Sequence, residues 1–222
     1  VFDYPSAENE DDDSIDSTYS TLPIGIVILK GYVVTISLYE NWSILEMSQG
    51  RIKGMDTRLK TRFFLLLALR ISQRFLICLR QIDRLSSRTE TRLHQSVEND
   101  ELIEMLGLEK SLVYFSTSLK SDEVTLSKIM RGKQIQLYEE DEDLLEDVMI
   151  EIHQAIEMCN IYSNTMAGTM DTFASIISNN MNIVMNKLTV ITIVMAIPNI
   201  IFGFYGMNVQ LSLIHISEPT RH

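Results

Sequence analysis

Hydrophobic positions change their period along the chain, and each period predicts a different element. LPIGIVILK (Leu22–Lys30) and YVVTISLYE (Tyr32–Glu40) are β-branched runs joined at Lys30-Gly31, which predicts a hairpin with a tight turn. From about Asp56 to about Val97 the period becomes helical, with Leu59, Phe63, Leu66, Leu67, Ile71, Phe75, Leu79, Ile82 and Leu85 at steps of three and four. Within it Phe63–Leu69 is wholly apolar, but seven residues between arginines are too few to cross a bilayer, so they read as core. Asn99 or Asp100 is placed to cap a second helix through LIEMLGLEKSLVYFSTSLKSDEVTLSKIM, and the short gap after Val97 makes the pair an antiparallel hairpin. The pattern breaks at Arg131-Gly132. From about Asp141, Leu145, Val148, Ile152, Ile156, Cys159, Met166, Met170, Phe173, Ile177, Val184 and Leu188 then continue without a proline until Pro198. That predicts one helix on the order of 90 Å long, a stalk whose apolar stripe must pack against copies of itself or neighbours. It ends in Leu188–Tyr205, an uncharged, mostly apolar run of about the length a bilayer core needs, which predicts a transmembrane helix.

Charge narrows the partners. With 19 Lys and Arg against 30 Asp and Glu the net charge is −11, which argues against a nucleic-acid binder and favours cations. The arginines at 58, 62, 70, 74, 80, 84, 88 and 92 form a basic side of the first long helix. The acidic segment Glu98, Asp100, Glu101, Glu104 and Glu109 offers them an internal partner, so a solvated, partly paired face is expected. Glu8, Glu10, Asp11, Asp12, Asp13 and Asp16 lack the glycine and distal glutamate of a calcium loop and read as a solvated loop. Glu139–Asp143, Glu146 and Asp147 suit the positive end of the stalk's helix dipole. Cys78 and Cys159 sit far apart inside helical patterns, as reduced, buried thiols would. There is no glycine-rich phosphate loop, no His/Cys ligand cluster and no nucleophile motif, so nothing points to an enzyme or an organic cofactor. The methionines at 149, 158, 166, 170, 181 and 185 read as adaptable packing.

The span itself carries the chemistry. Asn182, Met185, Leu188 or Thr189, Thr192, Ala196, Asn199 and Gly203 recur at helical spacing and share one face, where polar atoms belong in a bundle or a wet lumen. Thr192 alone would serve equally as an interhelical hydrogen-bonding residue; Asn182, Asn199 and Asn208 together favour a pore. No Asp or Glu occurs in the span, which suits a path that holds a hydrated cation by hydrogen bonds and does not cage it in carboxylates.

Tyr205-Gly206-Met207-Asn208 at the end of the span resembles the signature of the CorA family of magnesium transport channels, Gly-Met-Asn after the first membrane helix with an aromatic before it. The context is similar too: Asn182 and Met185 in NMNIVMNKLT, Leu188-Thr189 at the membrane entry, Pro198 in mid-span, and ENDELIEMLGLEKSLVYFSTSLKSDEVTLSKI. Pro5 to Gln210 can be read against the family. The resemblance implies a homopentamer passing Mg²⁺, with Co²⁺ and Ni²⁺ as further candidates, through the inner membrane. Residues before about 187 would then be cytoplasmic. It also implies selectivity at Gly206, Met207 and Asn208, with Asn208 binding hydrated Mg²⁺. Asn182, Met185, Leu188, Thr192 and Asn199 would line the pore, Met185 and Leu188 as a hydrophobic constriction. Asp147 would hold a regulatory Mg²⁺ between subunits. The rival reading is a single-span receptor or scaffold whose stalk only oligomerises.

The expected fold is an α+β membrane-protein fragment. Residues 1–55 would be the remnant of a cytosolic α/β/α domain with the hairpin, 56–135 the antiparallel helical pair, 136–187 the stalk, 188–205 the membrane helix, and 206–210 the signature and start of the outer loop. Val1 is neither a methionine nor the start of a signal peptide, and the family continues into a second membrane helix, so a fragment is expected. LSLIHISEPTR, Leu211–Arg221, reads as the translation of a transposon-end sequencing adapter, so 211–222 are set aside.

Overall fold

The computed structural model describes residues 1–7, 18–52, 55–95, 99–131 and 138–208. The acidic opening Glu8–Asp16, the break at Gly132, the tail from 209 onward and the side chains of Gln95, Glu139, Glu140, Met207 and Asn208 lie outside that description. The chain divides into two units, Val1–Thr172 and Phe173–His222.

In the first unit three strands, β1 (Phe2–Ala7), β2 (Tyr19–Ile28) and β3 (Val33–Ser37), form an antiparallel sheet in the order β1-β2-β3. The expected hairpin is β2–β3, with Ile28 opposite Val33. Its turn places Gly31 at φ 140°, a region that a β-carbon makes unfavourable. β1 is an addition to the sequence reading. It pairs with β2 from Phe2↔Ile24 to Ala7↔Tyr19, and so extends β2 three residues ahead of Leu22. Proline-containing β1 is tolerated because it is an edge strand. At the Asp3↔Pro23 pair the Asp3 N–H turns away from β2 and donates to Asp122 Oδ1 at 2.9 Å, so the N–H that Pro23 lacks costs no bond to β1.

A short helix, α1 (Trp42–Ser48), follows, capped by Asn41 Oδ1 accepting from the Ile44 N–H at 3.2 Å. The long pair is α2 (Lys60–Gln95) and α3 (Asn99–Arg131). It is antiparallel: Phe75 meets Phe115, Ser86 Oγ meets Met105 Sδ, and Arg92 pairs with Glu104, so positions rise on one helix as they fall on the other. Arg92–Glu104 is the internal pairing expected of the basic face. Phe64, Leu65, Leu67 and Ala68 are buried, so the apolar run Phe63–Leu69 is core.

The last helix, α4 (Glu139–Asn208), is continuous over 70 residues with Pro198 inside it, as the uninterrupted apolar stripe predicted. Its early part joins the core of the first unit. Leu145, Val148, Ile152, Ala155 and Cys159 are buried in one cluster with Ile71, Phe75 and Leu79 of α2, Leu112 and Phe115 of α3, and Phe2 and Ile24 of the sheet. Edge-to-face ring contacts link these layers: Phe2 on Phe64 (6.4 Å), Tyr19 on Phe115 (6.0 Å) and Phe75 on Phe115 (5.1 Å). His153 Nε2 of α4 lies 2.7 Å from Glu123 of α3, a further tie across the hairpin–stalk seam.

Candidate functional site

The residues that carry the candidate chemistry lie on the C-terminal part of α4. From Leu188 to Asn208 this helix has no charged residue, and it is long and apolar enough to cross a membrane. Its large side chains are exposed on every side: Val190, Ile191, Val194, Ile197, Phe202 and Phe204 all stand free of the chain's own packing. A helix apolar all round and unburied needs lipid or other helices as its solvent.

Against that background the polar positions form a pattern. At 100° per residue Asn182, Met185, Leu188, Thr192, Asn199 and Gly203 fall within a sector of about 120°. The described ones are all exposed. Thr189 and Thr192 donate their hydroxyls back to the carbonyls of Met185 and Leu188, each at 2.8 Å. These hydroxyl protons are therefore satisfied within the helix and need no partner helix. Among the described residues the amides of Asn182 and Asn199 have no such internal partner; in hydrocarbon each would be costly, so they are the positions that demand water or another polar group. Pro198 cannot donate to the Val194 carbonyl, which leaves one backbone acceptor free in mid-span. The helix runs through Gly206, Met207 and Asn208 as its last turn instead of stopping at Tyr205, where the sequence reading ended it. Phe204 and Tyr205 stack edge-to-face just before them (6.1 Å).

Asp147 sits two turns into α4, exposed, while its neighbour Val148 is fully buried. The carboxylate thus stands at the rim of the packed face. Among the described residues no three His, Cys, Asp or Glu side chains gather as a metal site.

Sequence comparison gives this geometry a lineage. The family model described as CorA-like Mg²⁺ transporter protein matches residues 5–215, nearly the whole chain. The chain belongs to the CorA-like family. The match to 215 takes in Leu211–His215, the first residues of the stretch set aside as adapter-derived. A curated relative, the cobalt/magnesium transport protein CorA of Methanocaldococcus jannaschii, is 33% identical over 119 residues, 54% of this CorA-like chain and 38% of the relative. The chain therefore aligns with well under half of that protein's length. The complete structure of the CorA magnesium transporter from the same organism has the same fold, with a TM-score of 0.78 at 23% identity over 98% of this chain and 67% of that one. The ZntB cytoplasmic domain from Vibrio parahaemolyticus shares it more loosely, with a TM-score of 0.61 at 13% identity, over 80% of this chain and 68% of that domain. The α+β architecture, a small sheet with a long helical pair and a stalk that becomes an apolar helix, is thus the CorA fold.

Sequence reasoning overlooked other groups. Asp122 of α3 is 1% exposed, and burial raises its carboxyl to about 8; the Asp3 N–H bond opposes this, the Asp3 carboxylate adds to it, and the N-terminal amine opposes it weakly. One of its oxygens, Oδ2, has no partner. Its position in SLKSDEVTL, between the polar residues Ser121 and Glu123 on a helix of weak amphipathicity, gives no sign of burial. Cys78 and Cys159 are buried thiols outside any disulfide, as expected, and burial pushes the Cys159 thiol up to about 12, against a smaller lowering by Lys120.

Proposed function

We propose that this chain belongs to a homopentameric channel that passes Mg²⁺, with Co²⁺ and Ni²⁺ as further cargo, down its electrochemical gradient and without hydrolysis. The observation that carries the reading is a stripe of amides, Asn182 and Asn199 with Thr192 between them, on an uncharged helix that ends in Gly206-Met207-Asn208. Family membership supports it. Mg²⁺ keeps its octahedral water shell, so a conducting site works by hydrogen-bonding that shell; amide oxygens accept from ion-bound water, whereas a ring of carboxylates would hold the ion too tightly to release it. Asn208, with Gly206 allowing close backbone approach, forms the outer selective ring, and Met207 lies between them. Met185 and Leu188 form an apolar collar that closes the path when it dewets. The residues before about 187 lie in the cytoplasm, and the span sits in the inner membrane.

Asp147 regulates the pore. It has no metal-holding companions among the described residues of its own chain, so a cation there depends on carboxylates from neighbouring copies. Five stalks bring such groups together, their repulsion opposes closure, and a bound Mg²⁺ relieves it and shifts the population to the closed form. An oligomerising receptor or scaffold would use the stalk but would have no use for an amide stripe. The test is Mg²⁺ uptake by the complete protein carrying Asn208→Ala. Uptake is expected to disappear while assembly is kept, and undiminished uptake would remove Asn208 from the selective ring.

A further inference from the structure

A cleft of about 830 Å³ lies between the Tyr4–Ala7 and Tyr19–Leu22 end of the sheet, the loop leading into α1, and the outer face of α2. That volume falls in the range of small-molecule sites. Arg74 of α2 lies over the ring of Trp42, 5.0 Å from its centroid, at the cleft wall. Gln81, about two turns further along α2, accepts the Tyr19 hydroxyl on Oε1 at 3.1 Å, which leaves its NH₂ for another acceptor. Asn41 uses Oδ1 to cap α1, and its Nδ2 is buried without a partner, although the residue is only 4% exposed. The Tyr4 hydroxyl lies near the Tyr39 backbone amide but short of hydrogen-bond geometry, and is also buried unpartnered. Buried polar groups are normally satisfied, so two orphans in one cleft wall mark a place where something polar is missing.

The cleft's own lining carries one cation, Arg74, and one carboxylate, Glu40. The chain as a whole carries −11, yet Arg70, Arg74, Arg80, Arg84 and Arg88 fall in a sector of α2 about 120° wide that contains no Asp or Glu of that helix. Arg80, Arg84 and Arg88 are exposed, and none forms an ion pair among the described residues. Arg70, Arg80, Arg84 and Arg88 lie outside the cleft's lining, so among the described residues Arg74 is the cation that draws an anion into it. At the wall Arg74 offers a guanidinium and Gln81 and Asn41 offer amide NH₂ groups as donors, opposed by the carboxylate of Glu40. Beside them stands Trp42, 47% exposed and so with ring surface left for stacking.

We propose that this cleft binds a small anion joined to a planar aromatic ring, the chemistry of a nucleoside phosphate. Arg74, Gln81 and Asn41 face the anion and Trp42 stacks on the ring. The site is cytoplasmic-side and separate from the ion path on α4. Trp42 is the single tryptophan of the chain, so its emission reports this cleft alone. The experiment titrates the full chain in detergent with ADP, without added metal, and follows tryptophan emission; adenosine and inorganic pyrophosphate are titrated in parallel. ADP is expected to produce a saturable change, with each half-ligand binding at least about tenfold more weakly. Arg74→Gln should weaken ADP by about tenfold or more, and Arg74→Lys by less, because charge remains but the fork is lost. Glu40→Gln, which removes a carboxylate from the cleft lining, should tighten ADP by about threefold. The proposal is overturned by the absence of a saturable change, by adenosine or pyrophosphate alone matching ADP, or by unchanged ADP affinity in both Arg74 variants with helical circular dichroism preserved.

Discussion

Replacing Asp122 with asparagine should make the first unit more stable at neutral and alkaline pH and leave it nearly unchanged in acid. Asp122 is buried at the junction of α3 and the edge strand, where Oδ1 holds the Asp3 N–H at 2.9 Å. Its carboxyl titrates near 8 in the fold against 3.8 when solvated, so the folded chain binds the proton more tightly than the unfolded chain. The sign follows from linkage: the contribution is fully favourable below about 4, declines as pH rises, and is lost as pH passes 8. At pH 7 the loss is about 1.36 × (7 − 3.8), or about 4 kcal/mol, an upper bound because a fold can relax around a buried charge. Asparagine keeps the acceptor for Asp3 and never ionises. The assay is urea denaturation of wild type and Asp122→Asn at pH 5, 7 and 8.5, read as the difference between the two chains so that the other titrating groups cancel. The variant should gain stability relative to wild type as pH rises, by several kcal/mol across the series. A difference that stays constant with pH, or grows toward acid, would refute the assignment.

Two further outcomes follow from the same structure. Phe115, fully buried against Phe75 and Tyr19, should cost about 3–5 kcal/mol on truncation to alanine, whereas its half-exposed neighbour Tyr114 should cost under about 1; denaturant midpoints compare them. Asp147→Lys in the complete protein should move closure to higher Mg²⁺ concentration, read from flux against internal Mg²⁺, and an unchanged closing curve in an assembled channel would return Asp147 to a solvated helix start.

The long elements were legible because their signal is repeated. Ile71, Phe75, Leu79 and Ile82 on α2 and Val148, Ile152 and Cys159 on α4 each restate one period, and no proline contradicts it before Pro198. The short elements were not. β1 holds six residues with Pro5 among them, and it becomes a strand only because β2 offers it an edge and Asp122, far away in sequence, takes the Asp3 amide. α1 is seven residues long, and Trp42 and Glu46 conceal any apolar stripe. The candidate ion path was visible as a pattern of amides on an uncharged helix. The Arg74–Trp42 cleft was not, since it joins a loop and a helix face that only the fold brings together.

The central claim is that one face of the span borders water and the opposite face does not. Single cysteines in the complete, membrane-embedded protein test it directly, because the native Cys78 and Cys159 are buried and give little background. A membrane-impermeant thiol reagent should label Thr192→Cys and Asn199→Cys, with Mg²⁺ flux falling as labelling proceeds. Val194→Cys and Ile201→Cys, on the opposite side of the same helix, should stay unlabelled. Equal labelling of all four, or labelling of Val194→Cys and Ile201→Cys alone, would contradict a pore along the asparagine stripe.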